Sequence, residues 1–244
     1  MADTVETQAT TAASATVAPT SAIVIDETET DRSSYMTIGE RLKYYGIILT
    51  NATADQTILS ALSAFNYTQE KIAAGSQLLE RVFQADAQNT KAYGEQYAAT
   101  QTVEQEYQEA YKPYMTSLGV ARIAFKNNTD AQNALVLKGK RAGNLSNWIH
   151  EAEIFYRNIL ATGAYLSRME EFGRTRSMIE AEYKEVKDVQ NAASVQKKET
   201  GEAIESTSTR NAIMAELDSW MSDFIGIIRI ALQDMPDSLT KLGL

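Results

Sequence analysis

The chain lacks cysteine altogether and holds one histidine and three prolines among its 244 residues. Without thiols, disulfide frameworks, thiol nucleophiles and zinc-thiolate sites are excluded. His150 is the single imidazole, and position 43, its counterpart in the repeat described below, is Lys. A di-iron bundle needs Glu-x-x-His on two helices, so that chemistry is excluded as well. Helix spacing gives no reason to bring Ser and Asp beside His150, and no Gly-x-x-x-x-Gly-Lys-Ser/Thr loop cradles a phosphate. The sequence therefore reads as non-enzymatic, with no metal and no cofactor expected.

Long apolar runs are missing too. No stretch approaches the roughly eighteen consecutive apolar residues of a membrane span. The N-terminus has no basic flank followed by a long apolar run, as a secretory signal would, so a cytoplasmic location is expected. Against 23 basic residues stand 32 acidic ones, a formal charge of -9 that opposes phosphate backbones and anionic membranes. Nucleic acid is not an expected partner.

What is present is helical material: 44% hydrophobic and 23% charged residues with few breakers. Residues 1–35 differ, being Ala/Thr-rich and acidic, with six carboxylates against Arg32. Their apolar area is too small to offset about 1–2 kcal/mol per ordered residue, which predicts a flexible arm. Within it Ala22, Ile23, Val24 and Ile25 form a β-branched run that suits docking on another subunit as an extended segment.

From Met36 onward apolar residues step by four and three alternately. Leu145, Ile149, Ala152, Tyr156, Ile159, Gly163 and Leu166 form one such series; Ile38, Leu42, Tyr45, Leu49, Ala52, Gln56 and Leu59 form another. A single offset of 107, which carries Ile38 onto Leu145, relates the two series and holds without a gap from 38–137 onto 145–244. Gly94, Glu95, Thr100 and Thr102 answer Gly201, Glu202, Thr207 and Thr209. Gly119, Arg122, Ile123, Ala124 and Asp130 answer Gly226, Arg229, Ile230, Ala231 and Asp237. The predicted fold is all-α: an elongated antiparallel helical bundle of two tandem helical-hairpin repeats, 36–137 and 138–244, forming one continuous bundle behind the 1–35 arm.

Each repeat is expected to hold a first helix, about 38–64 or 145–171, and a long second one N-capped by Thr68 or Thr175. About 57 residues at 1.5 Å rise make a rod of about 85 Å, which Pro113 is placed to kink in the first copy. An antiparallel pairing would bring the midpoints near Tyr97 and Ile204 together. Glycine inside a helix costs about 1 kcal/mol relative to Ala, so Gly94 and Gly201 predict a close backbone approach at the crossing. Tyr93, Tyr97, Thr100, Thr200, Ala203, Thr207 and Arg210 then form a small or polar core there. Arg122 and Arg229, each in an apolar run, are expected to snorkel outward or to pair with Asp130 and Asp237. The basic run Lys138-Gly139-Lys140-Arg141 reads as solvated linker.

The segment Phe65-Asn66-Tyr67-Thr68-Gln69-Glu70-Lys71-Ile72-Ala73-Ala74-Gly75 and the terminal Arg229-Ile230-Ala231-Leu232 with Pro236 and Leu242-Gly243-Leu244 resemble a loose set of uncharacterised bacterial all-helical proteins. The resemblance implies no activity. The expected function is a structural or scaffolding protein that assembles through its long helices with itself, as a homo-oligomer or filament, or with another helical protein, the N-terminal arm contributing. The alternative is a small-molecule or cofactor-binding bundle that uses the polar middle.

Overall fold

A computed structural model describes residues 36–244, so the arm and its Ala22, Ile23, Val24 and Ile25 lie outside the described residues. By its contacts the chain divides into residues 1–41 and 42–244. In the first unit Thr37 and Glu40 form a reciprocal cap: the Thr37 amide donates to Glu40 Oε2 (2.8 Å) and the Glu40 amide donates to Thr37 Oγ1 (3.3 Å). This satisfies two backbone donors that open a helix, the role of a capping box.

About 84% of the described residues are helical, and no strand occurs among them. In chain order the helices are α1 (Ile38–Ala54), α2 (Gln56–Ser63), α3 (Gln69–Ala124), α4 (Thr129–Ala134), α5 (Leu145–Ala161), α6 (Gly163–Glu170), α7 (Arg176–Ala231) and α8 (Pro236–Leu242). No described helix is long and apolar enough to cross a membrane. The boundaries of α1, α2 and α3 recur in α5, α6 and α7 at the one offset that carries Ile38 onto Leu145. Thr68 caps α3 by accepting from the Lys71 amide, and Thr175 caps α7 by accepting from the Met178 amide. The first helix of each half is interrupted at Asp55 or Thr162; Asp55 caps α2 through the Thr57 and Ile58 amides, whereas the Thr162 side chain makes no capping bond.

Left-handed residues recur at the same offset. Asn66 and Gly173 (φ 62° and 77°) close the turns before the long helices, and Val136 and Gly243 (φ 51° and 77°) follow the short helices α4 and α8. A β-branched residue such as Val136 adopts positive φ only under constraint. Asn51 Nδ2 donates to the Lys241 carbonyl (2.7 Å), and Asn158 Nδ2 to the Ala134 carbonyl (2.6 Å). These matched amides tie α8 to α1 and α4 to α5.

The two 56-residue helices, α3 and α7, pack along one another. Arg81 meets Glu216, Asp86 meets Arg210, Asn89 meets Thr207, Thr100 meets Gln196 and Ser117 meets Glu182. Partner numbers on α7 fall as those on α3 rise. α3 continues through Pro113. One apolar core gathers the C-terminal half of α3 with α4, α5, α6 and the start of α7, centred on Tyr114, Trp148, Phe155 and Tyr156. At the other end of the pair Ile48, Ile58, Leu62, Ile72, Phe224 and Ile228 are buried.

Candidate assembly interface and the buried polar clusters

Heptad spacing gives each long helix two lines of core-type residues, but a single partner helix buries only one. On α3 the buried line is Gly75, Val82, Asn89, Val103, Ala110, Ser117 and Ala124. The other line is Ile72, Leu79, Asp86, Tyr93, Thr100, Tyr107, Tyr114 and Ala121. Its outer members Ile72, Tyr114 and Ala121 are buried, whereas Tyr93 and Thr100 in the middle are exposed. Tyr93 and Thr100 are thus not core residues: shorter helices pack at the ends of the pair, and among the described helices only α7 faces the middle.

The buried line in the middle is small or polar, which lets side-chain hydrogen bonds set the register. Asn89 Nδ2 donates to Ser206 Oγ (3.0 Å) and Thr207 Oγ1 (2.9 Å), and its Oδ1 accepts from Arg210 Nη1 (2.7 Å). Gln196 Nε2 donates to Thr100 Oγ1 (3.2 Å). Thr100 and Thr207 therefore sit on the rim of the α3–α7 contact. Gly94 and Gly201 do not: both are exposed, and a Cβ built on either meets nothing within 4 Å. The expected close approach at these glycines is corrected, because they lie on the outward side of their helices while Ala92, Ala99 and Ala203 face inward.

On one flank of this middle segment large apolar side chains face water. Tyr97 is 67% exposed, Ile204 65% and Tyr93 51%. Tyr93, Tyr97 and Thr100 form one i, i+4, i+7 stripe on α3; Thr200, Ile204 and Thr207 form the matching stripe on α7. Thr207 Oγ1 donates to the Tyr93 hydroxyl across the pair (3.4 Å), so the stripes adjoin on the same face. The opposite flank carries the ion pairs Lys91–Glu95 (3.6 Å) and Lys198–Glu202 (2.9 Å), which occupy equivalent positions of the two halves.

The most concentrated polar chemistry is buried elsewhere. Glu182 receives the Arg174 guanidinium on Oε1, and Ser117 Oγ (2.6 Å) and the Tyr156 hydroxyl (3.1 Å) on Oε2. Arg174 Nε also donates to Ser117 Oγ (3.0 Å). Burial raises the Tyr156 phenol well above its ordinary value, so it stays a neutral donor. With both carboxylate oxygens occupied, the cluster joins α3, α5 and α7 as a compensated buried charge. Beside it Arg141, its side chain only 6% exposed, pairs with Glu151 (3.3 Å) and donates to the Tyr114 hydroxyl (3.1 Å) and the Val136 carbonyl (2.8 Å). Arg141 is thus a buried anchor of the connector, not solvated linker, because the carbonyls of the turn after α4 converge on it.

Arg122 has a related role. Its Nε and Nη2 donate to the carbonyls of Leu137 (2.7 Å) and Gly139 (2.8 Å). The ion pair expected with Asp130 does not form, since the guanidinium is spent on the connector backbone while Asp130 sits exposed in the first turn of α4. Arg229 lies exposed in the last turn of α7, where a cation favours the helix dipole, and Asp237 opens α8. His150 is exposed on α5. Among the described residues no group of three or more His, Asp or Glu side chains is placed to hold a metal.

Glu182, Arg174 and Arg141 were not among the residues that sequence reasoning singled out as buried. For Glu182 a signal existed: it occupies the buried heptad line that continues through Val189, and a carboxylate there demands a partner. Arg174 and Arg141 lie in turns, where no periodicity marks a buried residue. The chain matches no family model, no curated protein and no solved structure.

Proposed function

We propose that this protein is a non-enzymatic structural element that associates with itself through its long helices. The chain is read as two tandem helical-hairpin repeats whose long helices run antiparallel. Supporting this are the helix boundaries, the left-handed residues and the Asn51 and Asn158 contacts, all recurring at one offset, and the falling order of α7 partners along α3. The carrying observation for assembly is the exposed stripe of Tyr93, Tyr97 and Ile204, three large side chains brought together by a two-helix segment. Contiguous apolar surface of that kind marks contact sites. The polar groups of the middle are bonded to one another, which favours a register-setting role over ligand capture. Light scattering on the full-length protein tests the proposal: a mass above one chain that rises with concentration supports it, and a monomer at high micromolar concentration removes it.

A further inference from the structure

We infer that the connector between α4 and α5 is a docking surface for the acidic stretch Asp26, Glu27, Glu29 and Asp31 of a second copy of this chain. The inference rests on the self-association proposed above and goes further by naming a surface and the segment that it takes.

The surface is defined by charge. From Gly119 to Asn144 stand Arg122, Lys126, Lys138, Lys140 and Arg141 against a single carboxylate, Asp130, in a chain whose formal charge is -9. Arg141 is spent inside, on Glu151 and the Tyr114 hydroxyl. Lys126, Lys138 and Lys140 are exposed, and none of them makes an ion pair among the described residues. Arg122 lies exposed beside them and donates to the carbonyls of Leu137 and Gly139, while Arg141 donates to those of Val136 and Lys138. Two guanidinium groups thus hold the backbone that carries the lysines, so a partner does not have to order it on binding.

Complementary charge selects the occupant. Four of the six residues 26–31 are carboxylates, and no other six-residue stretch of the chain holds as many. Four exposed cations, Arg122, Lys126, Lys138 and Lys140, stand ready for them.

Chain length makes the contact one between copies. A Cβ built on Gly46 would lie 3.6 Å from Leu79 Cδ2, which places α1 beside Leu79 of α3, whereas the connector is held by Arg122 of the same helix. Those two levels are about 65 Å apart at 1.5 Å per residue. From Gly46 back through the helical residues to Ile38, and then fully extended to Glu29, the chain spans at most about 45 Å. The acidic stretch therefore falls short of the connector of its own chain. Exposed ion pairs are individually weak, and the contact counts because association through the long helices already holds the copies at high local concentration.

The test uses the full-length chain at low ionic strength. In a mixture of nitrogen-15-labelled and unlabelled protein, zero-length carbodiimide coupling is expected to join the 26–31 carboxylates of one copy to Lys126, Lys138 or Lys140 of the other, read as mixed-isotope crosslinks by mass spectrometry. Lys138→Glu with Lys140→Glu is expected to weaken association by at least about fivefold in sedimentation, with helicity unchanged by circular dichroism, and 0.5 M salt does the same to the unaltered chain by screening. Lys43→Glu with Lys197→Glu makes the same charge change at exposed lysines elsewhere and leaves association in place. Adding Glu27→Lys and Glu29→Lys to the connector reversal restores it.

A monomer at high micromolar concentration overturns both this inference and the self-association it rests on. Association indifferent to the connector reversal, failure of the charge exchange to restore it, crosslinks found only within one chain, or connector lysines coupled instead to carboxylates of residues 36–244 overturn this inference alone.

Discussion

The two ends of the α3–α7 pair share a backbone plan and fill it with different chemistry. At one end Ser117, Tyr156, Arg174 and Glu182 bury an ion pair. The equivalent positions at the other end are Phe224, Leu49, Tyr67 and Gly75, and there Tyr67 stacks on Phe224 with ring centroids 5.1 Å apart. The space that Glu182 fills at one end is left by Gly75 to the ring of Trp220, which lies so close that a Cβ on Gly75 would overlap it. Trp220 in turn corresponds to Pro113. A buried ion pair is weak evidence of stability, since desolvation opposes its Coulomb energy, whereas an aromatic stack adds to area burial directly. One backbone plan thus holds a buried ion-pair set at one end and an aromatic set at the other.

The sharpest way to break the comparison is to remove half of the ion pair. Glu182→Ala leaves the Arg174 guanidinium buried without its carboxylate and is expected to destabilise by about 3–5 kcal/mol in urea unfolding. Replacing Ser117, Tyr156, Arg174, Glu182 and Pro113 together by Phe, Leu, Tyr, Gly and Trp is expected to recover most of that loss. At the other end Gly75→Ala drives a methyl group into Trp220 and is expected to cost about 1–3 kcal/mol. A smaller residue in place of Trp220 should relieve part of it.

Alkaline pH separates the ends next. The Tyr156 and Tyr114 phenols are both held above their ordinary value by burial. Their contribution is intact below the unfolded-state value near 10 and is lost as pH rises past it, at about 1.4 kcal/mol per pH unit for each phenol still protonated in the fold. Tyr67, raised by burial and by Asp223, is the matching group at the aromatic end. Unfolding followed between neutral and strongly alkaline pH should show a slope that Tyr156→Phe flattens more than Tyr67→Phe does.

The turns after the short helices offer a smaller effect. Val136 adopts the left-handed conformation that Gly243 adopts at the matched position. Val136→Gly is expected to raise stability by about 1 kcal/mol and Gly243→Val to lower it by at least as much, read from thermal unfolding. Last, Gly94→Ala and Gly201→Ala are each expected to stabilise by at most about 1 kcal/mol, and equally, because neither added methyl group meets another atom. A loss at either glycine would show that the outward side is covered.

Particular residues show how far the sequence reaches. The two long helices and their caps at Thr68 and Thr175 were legible, because they depend on contacts within a few residues of chain, whereas the breaks at Asp55 and Thr162 inside the expected helices 38–64 and 145–171, and the short helices α4 and α8, were not. The constant offset between the halves predicts that helix boundaries recur, and those of α1, α2 and α3 do recur in α5, α6 and α7. Periodicity placed Tyr93, Tyr97 and Thr100 in the core of the long helices and missed the line through Gly75, Val82 and Asn89 that is buried there. Which line is buried at a given height was not legible: Tyr93 and Tyr114 belong to the same line, yet one is exposed and the other is enclosed by Trp148, Phe155 and Tyr156.

The sequence by itself thus determined the helical class, the caps and the spacing of apolar lines, since local hydrogen bonding and side-chain periodicity act over a few residues. Only the tertiary structure decided that Glu182 meets Arg174, Ser117 and Tyr156, that Arg141 is buried, and that Gly94 and Gly201 face outward. Burial and charge compensation are properties of neighbours supplied by distant chain, and a residue's type does not say which neighbours arrive.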